Sequence, residues 1–397
     1  MQLTAREAFL QFGHILQSEL FPHLEQALGP LSPELQLLTS VVSLVPLAGL
    51  LNTHRAATGR PAKDRTALAT AFIAKAILNL PDTRHLIGRL RVDQALRQFC
   101  GWNSVRALPH ESKFSRAFGE FAAGNLPQQL HAAVIESTQR GRLVGHIARD
   151  STAIVGREHI PEAVMEKKRK DKVQKAKQQR AKKDKRGKRK GAHPKSKASE
   201  RGPRIDRQPN QSLEAMLAEI PRHCDLGRKV DSDGNNKSWR GYKLHWDIAD
   251  GQIPISALLT SASVHDSQMA IPLMTMSTSR VAYLYELMDS AYDADGIHSH
   301  SKELEHVAII AVHPRRKAKL PEELAKALPG KLSPQLSPAQ ADRFKERTMV
   351  ERMNARLKDE FGGNQIRVRG AAKVMAHLMF GVLALTVDQW LRISTAG

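Results

Sequence analysis

The stretch RFKERTMVERMNARLKDEFGG, residues 343 to 363, sets Phe344, Arg347, Glu351 and Lys358 at intervals of three, four and seven. On an α-helix, at about 100° per residue, those four side chains share a stripe roughly 60° wide. A carboxylate between two cations on one face suits phosphate chemistry. Glu351 would ligate a hard cation while Arg347 and Lys358 hold a phosphodiester. Two further acids close runs of strand character: Asp150 follows RLVGHIAR, and Asp289 follows VAYLYELM. If those strands lie side by side in parallel, their carboxyl ends meet at the edge where open α/β sheets bind ligands. Three converging acids repel one another unless divalent ions, Mg²⁺ or Mn²⁺, neutralise them. Two such ions roughly 3.5 to 4 Å apart stabilise both the attacking and the leaving oxygen of a displacement at phosphorus. Each residue alone has a plainer reading, because an Asp at a strand end caps the next turn and a Glu on a charged helix faces solvent.

The elements that must position these groups follow from periodicity. Residues 1 to 140 read as all helix, interrupted at Pro46, Pro61 and Pro81, with Ser112 as an N-cap and Phe114, Phe118 and Phe121 as core. From Leu143 a β-branched run reads as a strand ending close to Asp150. Tyr242 to Ile248 and Ile253 to Leu259 alternate around AspGly at 250 and 251, which predicts an antiparallel hairpin. A helix over 267–275, a strand ending at Asp289 and a strand in HVAIIAVHP come next. An exposed connector over 315–340, the charged helix and a buried helix from Ala371 to Leu391 complete the chain. The expected class is α/β, a mixed sheet flanked by helices after an all-helical amino-terminal domain. The expected boundaries are 1–140 and 141–397, with a basic insert at about 160–230.

Charge singles out that insert. Of the formal +21 on 397 residues, +15 lies between Glu166 and Arg204. Its runs include Lys167, Lys168, Arg169, Lys188, Arg189 and Lys190. Such a segment is expected to be mobile without a ligand and to attract DNA with sequence-independent, salt-sensitive affinity; the plainer alternative is a solvated linker. Two distant cysteines, Cys100 and Cys224, indicate neither a disulfide framework nor zinc, and fit a reducing compartment. The apolar runs 41–51 and 378–387 fall short of a membrane span, and no signal peptide is expected.

Other motifs carry less. DSDGNN at 231–236 has Tyr242 where a calcium loop needs Glu, and His223 beside Cys224 lacks a partner pair at zinc spacing. Trp239 could stack on bases, whereas Trp246 alternates onto an apolar face. Asp293 and Asp295 read as helix caps.

The spacing Phe344, Arg347, Glu351, Lys358 resembles the Tyr-x2-Arg-x3-Glu-x6-Lys helix of bacterial DDE transposases of the insertion-sequence four and five type, with phenylalanine in place of tyrosine. ARDSTAI, WRGYKLH, TSASVHDSQ and MDSAYDA are similar to other pieces of that family. The resemblance implies an RNase H-like catalytic fold that cleaves element ends and transfers the 3′ hydroxyl to target DNA. It implies Asp150, Asp289 and Glu351 as the catalytic, metal-binding triad, with Arg347, Lys358 and Phe344 on DNA. His265 and Asp266 match a His-Asp pair; His265 is placed among the DNA contacts, with turn-capping as the alternative. The implied partners are double-stranded DNA, at the terminal inverted repeats and the target, and a second copy of the chain, in the bacterial cytoplasm at the nucleoid. The helical region would bind ends or dimerise. A nuclease without strand transfer and a non-catalytic DNA-binding relative are the rival readings.

Overall fold

The computed structural model describes residues 11, 12, 14–51, 64–171, 173, 174, 204–230, 235–312 and 337–395. Lys188, Arg189, Lys190 and the rest of 175–203 within the basic insert, residues 231–234 and most of the connector lie outside them.

Helices fill the amino-terminal region. They include α1 (Phe21–Leu28), α2 (Pro33–Leu44), α3 (Arg65–Ile77), α4 (Thr83–Val92), α5 (Glu111–Ala123) and α6 (Leu126–Gln139). Side-chain caps start several of them: Asp64 accepts from Thr66 N at 2.8 Å and Asp82 from Arg84 N at 2.9 Å, filling donors that a helix end leaves unpaired. The cap of α5 is His110 rather than Ser112; its ring nitrogen accepts from Ser112 N. Phe114, Phe118 and Phe121 are buried against Phe72 of α3.

The sheet has six strands: β1 (Leu143–Val155), β2 (Asp225–Val230), β3 (Asn236–Ala249), β4 (Ile253–Ser261), β5 (Ala282–Met288) and β6 (Val307–Ile310). β1, β5 and β6 run parallel, while β3 lies antiparallel to β1, β2 and β4, in the order β2-β3-β1-β5-β6 with β4 on β3. This mixed sheet, covered by helices, is RNase H-like. Gly241 sits where β3 passes from β2 to β4, at φ +150°; a Cβ there would stand 2.1 Å from Ile154 O. Only glycine fits so close an approach.

Period two sorts the sheet's faces. Ala148, Ile154, Leu244, Trp246, Leu287 and Ile309 join one core, and Met288 and Ile310 join another. The first core is shared with the amino-terminal helices, α10 (Thr348–Asp359, defined below) and the last helix, Ala371–Thr395. The second is closed by α7 (Ala270–Thr278) and α8 (Asp295–Glu303). The expected helix at 267–275 thus starts later, after a 3-10 turn at Asp266–Met269.

The structure corrects four further expectations. The stretch 343–363 is two helices, α9 (Pro338–Lys345) and α10, joined at Glu346 and Arg347. Hydrogen bonds to the third preceding residue carry that turn, Arg347 N to Phe344 O at 3.1 Å among them. It redirects the chain because α10 buries Met349, Val350, Met353 and Leu357 whereas α9 buries nothing. β1 runs on past Asp150 to Val155, because Thr152 and Ile154 go on pairing with β3. β2 was not expected at all. The final helix, α11 (Ala371–Thr395), is long and apolar enough by composition to cross a membrane, but 78% of its most apolar window is buried inside the fold. It packs on α2, α3, α5, α6 and β4 as a core helix. A Cβ on its Gly381 would lie 2.4 Å from Phe361 O, so this glycine lets the segment after α10 sit directly on α11.

Candidate active site

Parallel pairing of β1 and β5 sets Arg149 opposite Met288, which brings Asp150 and Asp289 to neighbouring positions where β5 ends. Both aspartates continue the alternation of Ala148 and Leu287 onto the face that α10 covers. Asp150 is 8% exposed. Burial, then the charge of Asp289, pushes its carboxyl up to about 7. Asp289 accepts from Ala291 N at 2.9 Å as the cap of the following turn, and burial raises its carboxyl too. The capping reading therefore holds for Asp289, which also stands beside Asp150.

Glu351 lies in the first turn of α10, 55% exposed, and accepts from Arg347 Nη2 at 2.7 Å. The Arg347 guanidinium stands 5.9 Å from the Phe344 ring centroid, and its charge also acts on Asp289. Phe344, Arg347 and Glu351 are thus linked across the break between α9 and α10. An exposed pair at this spacing is worth about 0.3 to 0.5 kcal/mol, and arginine ahead of glutamate is the weaker order. So small a contact yields readily to a stronger ligand for either side chain. Lys358, half-buried at the far end of α10, has its ammonium shifted down by burial and by Lys229.

Asp266 is close enough to raise both aspartates. It accepts from Ser151 Oγ at 2.9 Å and Lys243 Nζ at 2.9 Å. His265 caps the adjoining turn, its Nδ1 2.8 Å from Ser267 Oγ and accepting from Ser267 N, which favours turn-capping over a DNA contact. Lys167 and Arg169 are exposed in a helical segment, but Lys168 donates to the buried carboxylate of Asp225 and so serves as an anchor. Trp246 is fully buried, its Nε1 donating to Asn354 of α10 at 2.9 Å, which fastens that helix over the sheet. Asp293 pairs with His298 at 3.2 Å, and Asp295 opens α8. Neither Cys100 nor Cys224 is poised as a nucleophile: burial pushes their thiols up to about 12 and about 11.

Two residues escaped the sequence reading. Lys229, on β2, acts electrostatically on Asp150, Asp289 and Lys358. The signal was AspGly at 233 and 234, a hairpin dipeptide between KV and NKSW. Tyr292 is fully buried, and its hydroxyl has no partner among the described residues although Asp266, Asp150 and Asp289 all act on it. Its signal was MDSAYDA itself.

A family model described as Transposase DDE domain matches residues 212–387, and one described as Transposase domain (DUF772) matches residues 24–120. The chain belongs to the insertion-sequence DDE transposases. No curated protein matches it. The first match holds Asp289 and Glu351; Asp150 stands ahead of it, and the structure supplies its adjacency to Asp289.

DDE transposases depend in general on divalent metal, and the donors of this transposase fit one. Asp150 and Asp289 offer hard carboxylate oxygens side by side, Asp150 buried and Asp289 half-buried, with carboxyls raised by burial and repulsion that a dication would relieve. Among the described residues no group of three His, Cys, Asp or Glu side chains is already gathered for a metal, consistent with Glu351 being held on Arg347. A pH dependence follows. Asp150 titrates near 7 in the folded protein and near 3.8 as a free carboxyl, so between those values the folded state binds the extra proton. Its contribution to metal-free stability therefore falls as pH rises through that window. The thermal stabilisation given by Mn²⁺ should grow from pH 6 to pH 8, as protons cease to compete, and Asp150→Asn should flatten that growth. An increment that is the same at both pH values in the parent protein would contradict this assignment.

Proposed function

We propose that this transposase cleaves DNA at the ends of its element and joins the freed 3′ hydroxyl to target DNA, in the manner of the insertion-sequence four and five type. The observation that carries the reading is the β1–β5 register, which sets Asp150 beside Asp289 beneath the helix bearing Glu351. Asp150, Asp289 and Glu351 would hold the divalent ions. When bound, such a pair supplies charge stabilisation to the attacking and leaving oxygens. Glu351 turns from Arg347 into the site, which frees the Arg347 guanidinium for a phosphate. Lys358, two turns further along the same face of α10, and Lys229 on β2 hold the backbone on either side. The Phe344 ring orients Arg347 and contributes surface to the DNA. The buried floor beside Asp150, Ala148 and Trp246 among it, strengthens each of these charge contacts.

Two ends must be brought together, so the DNA-bound form is a homodimer. The helical region 1–140 recognises the terminal repeats or the partner copy, and 141–397 carries the chemistry.

Incubating the protein with Mg²⁺, a duplex bearing the element end and a supercoiled target plasmid separates this reading from its nearest rival. Joined products in which the end's 3′ strand is covalently attached to the plasmid are expected. Nicked duplex without joined product would make the protein a metal-dependent nuclease.

A further inference from the structure

A basin of about 640 Å³ lies between the amino-terminal helices and the segment joining α10 to α11. Its wall is cationic: Lys75, Arg84, Arg157, Arg367, Arg369 and Lys373 line it, against the carboxylates of Asp82 and Glu111. Both acids are engaged. Asp82 caps α4 and binds His85, and Glu111 accepts from Arg84 at 3.2 Å. Arg157, Arg367, Arg369 and Lys373 are exposed.

The floor is Lys75. It is 7% exposed, on a helix otherwise buried along this stretch, and among the described residues its ammonium has neither a hydrogen bond nor an ion pair. Burying a charge without a partner is costly, and here burial pushes the ammonium down to about 8, with Asp82 only partly offsetting the loss. The neighbouring His377 does not share that charge. It is buried with Nε2 on Gly362 O at 2.9 Å, and burial and Lys75 drive its ring down to about 3, so it stays neutral. A buried cation facing an open, cationic concavity has its counter-charge still to come from a ligand.

The basin's place in the fold says which ligand. Two of the three elements that carry the acids of the candidate site, β1 and α10, lead to it. β1 ends at Val155, five residues beyond Asp150 and about 17 Å along the strand, and Arg157 follows. Arg157 Nη1 donates to Arg367 O at 3.4 Å. α10 ends at Asp359, whose carbonyl accepts from Asn79 Nδ2, just past α3, at 2.7 Å, and the segment with Arg367 and Arg369 follows. Lys358 therefore stands between Glu351 and the basin. About 17 Å is the axial rise of roughly five base pairs.

We propose that this basin is a phosphate-binding site that grips the DNA backbone roughly five base pairs from the cleaved bond, with Lys75 as its deep cation. The inference rests on the reading of Asp150, Asp289 and Glu351 as the cleavage site. Backbone contacts of this kind fix register without reading sequence.

The test measures affinity of the full-length protein for an end-bearing duplex against salt, with melting temperature as the check on folding. Arg367→Gln/Arg369→Gln changes only exposed side chains and should lower the log–log salt slope by about 1.8, and Lys75→Met should lower it by about 0.9. Lys75→Met should also raise the melting temperature, since it removes an uncompensated buried charge. Slopes equal to the parent's in both variants overturn the proposal. Titration with inorganic tripolyphosphate distinguishes a free ligand from the backbone. Tripolyphosphate binding that is lost in Lys75→Met while the duplex slopes stay at the parent's value makes this a small-polyphosphate site and also overturns it. Cleavage is read separately with Asp150→Asn: if that variant still cuts, the cleavage site is misplaced, whereas the slopes judge the basin alone.

Discussion

Asp150→Asn lowers both end cleavage and strand transfer by on the order of a thousandfold or more, with DNA affinity maintained or raised. Losing one anionic ligand of a metal pair removes several kcal/mol of charge stabilisation from the transition state, and about 4 kcal/mol corresponds to three decades in rate. Affinity holds or rises because an anion facing phosphates is removed while Arg347, Lys358 and Lys229 remain. The isosteric amide keeps the shape of the buried position, and removing a carboxyl already strained by burial costs the fold nothing. Asp289→Asn should match it in rate but not in stability, because Asp289 also accepts from Ala291 N. Gel assays of nicked end duplex under single-turnover conditions read the loss. No nicked product from the parent protein, with DNA binding unchanged in the Asp150→Asn, Asp289→Asn and Glu351→Gln variants, would leave the non-catalytic rival standing.

The second large effect lies under the site. Arg149 is completely buried and donates two bonds to Asp247, Nε to Oδ1 at 2.8 Å and Nη2 to Oδ2 at 2.7 Å. Glu286 lies 3.8 Å away, itself accepting from Tyr283 OH at 2.8 Å, and Ser277 donates to Asp247 at 2.7 Å. Despite burial, Asp247 and Glu286 hold the guanidinium protonated. Arg149→Met strands two buried carboxylates and should cost about 3 to 5 kcal/mol, seen as a lower urea midpoint. Arg149→Met/Asp247→Leu should recover part of that loss, since removing both partners spares the unpaired charge. A double variant as unstable as the single one would show that packing, rather than charge pairing, dominates there. Because Arg149 precedes Asp150 in β1, the single variant should also slow cleavage by disturbing the register that sets Asp150 beside Asp289.

Much of this was written in the sequence because it rests on short-range patterns. Alternation and AspGly gave the β3–β4 hairpin, and the apolar run at the end gave α11. Strand composition put a strand end at Asp289, one residue past where β5 stops. What the sequence did not reveal depends on tertiary partners. Asp150 looked like a strand end because its local pattern stops there, yet β3 pairs with β1 as far as Val155. The stripe from Phe344 to Lys358 looked like one helix because helical spacing persists across Glu346 and Arg347; packing of Met349 and Val350 into the core breaks it. Lys229 was missed because β2 is short and polar. Lys75 was missed because a lone lysine in an apolar helix has no signature until its pocket is formed. Lys168 looked like a DNA contact on charge alone, whereas a buried Asp225 claims it.

The most direct measurement is a structure of the protein bound to its element end and Mn²⁺. The account predicts Asp150, Asp289 and Glu351 all ligating a metal pair spaced about 4 Å apart, with Arg347 moved from Glu351 onto a DNA phosphate. Glu351 still bonded to Arg347, with its carboxylate more than about 10 Å from the aspartates where ligands of one metal pair must lie within a few ångströms, would contradict it.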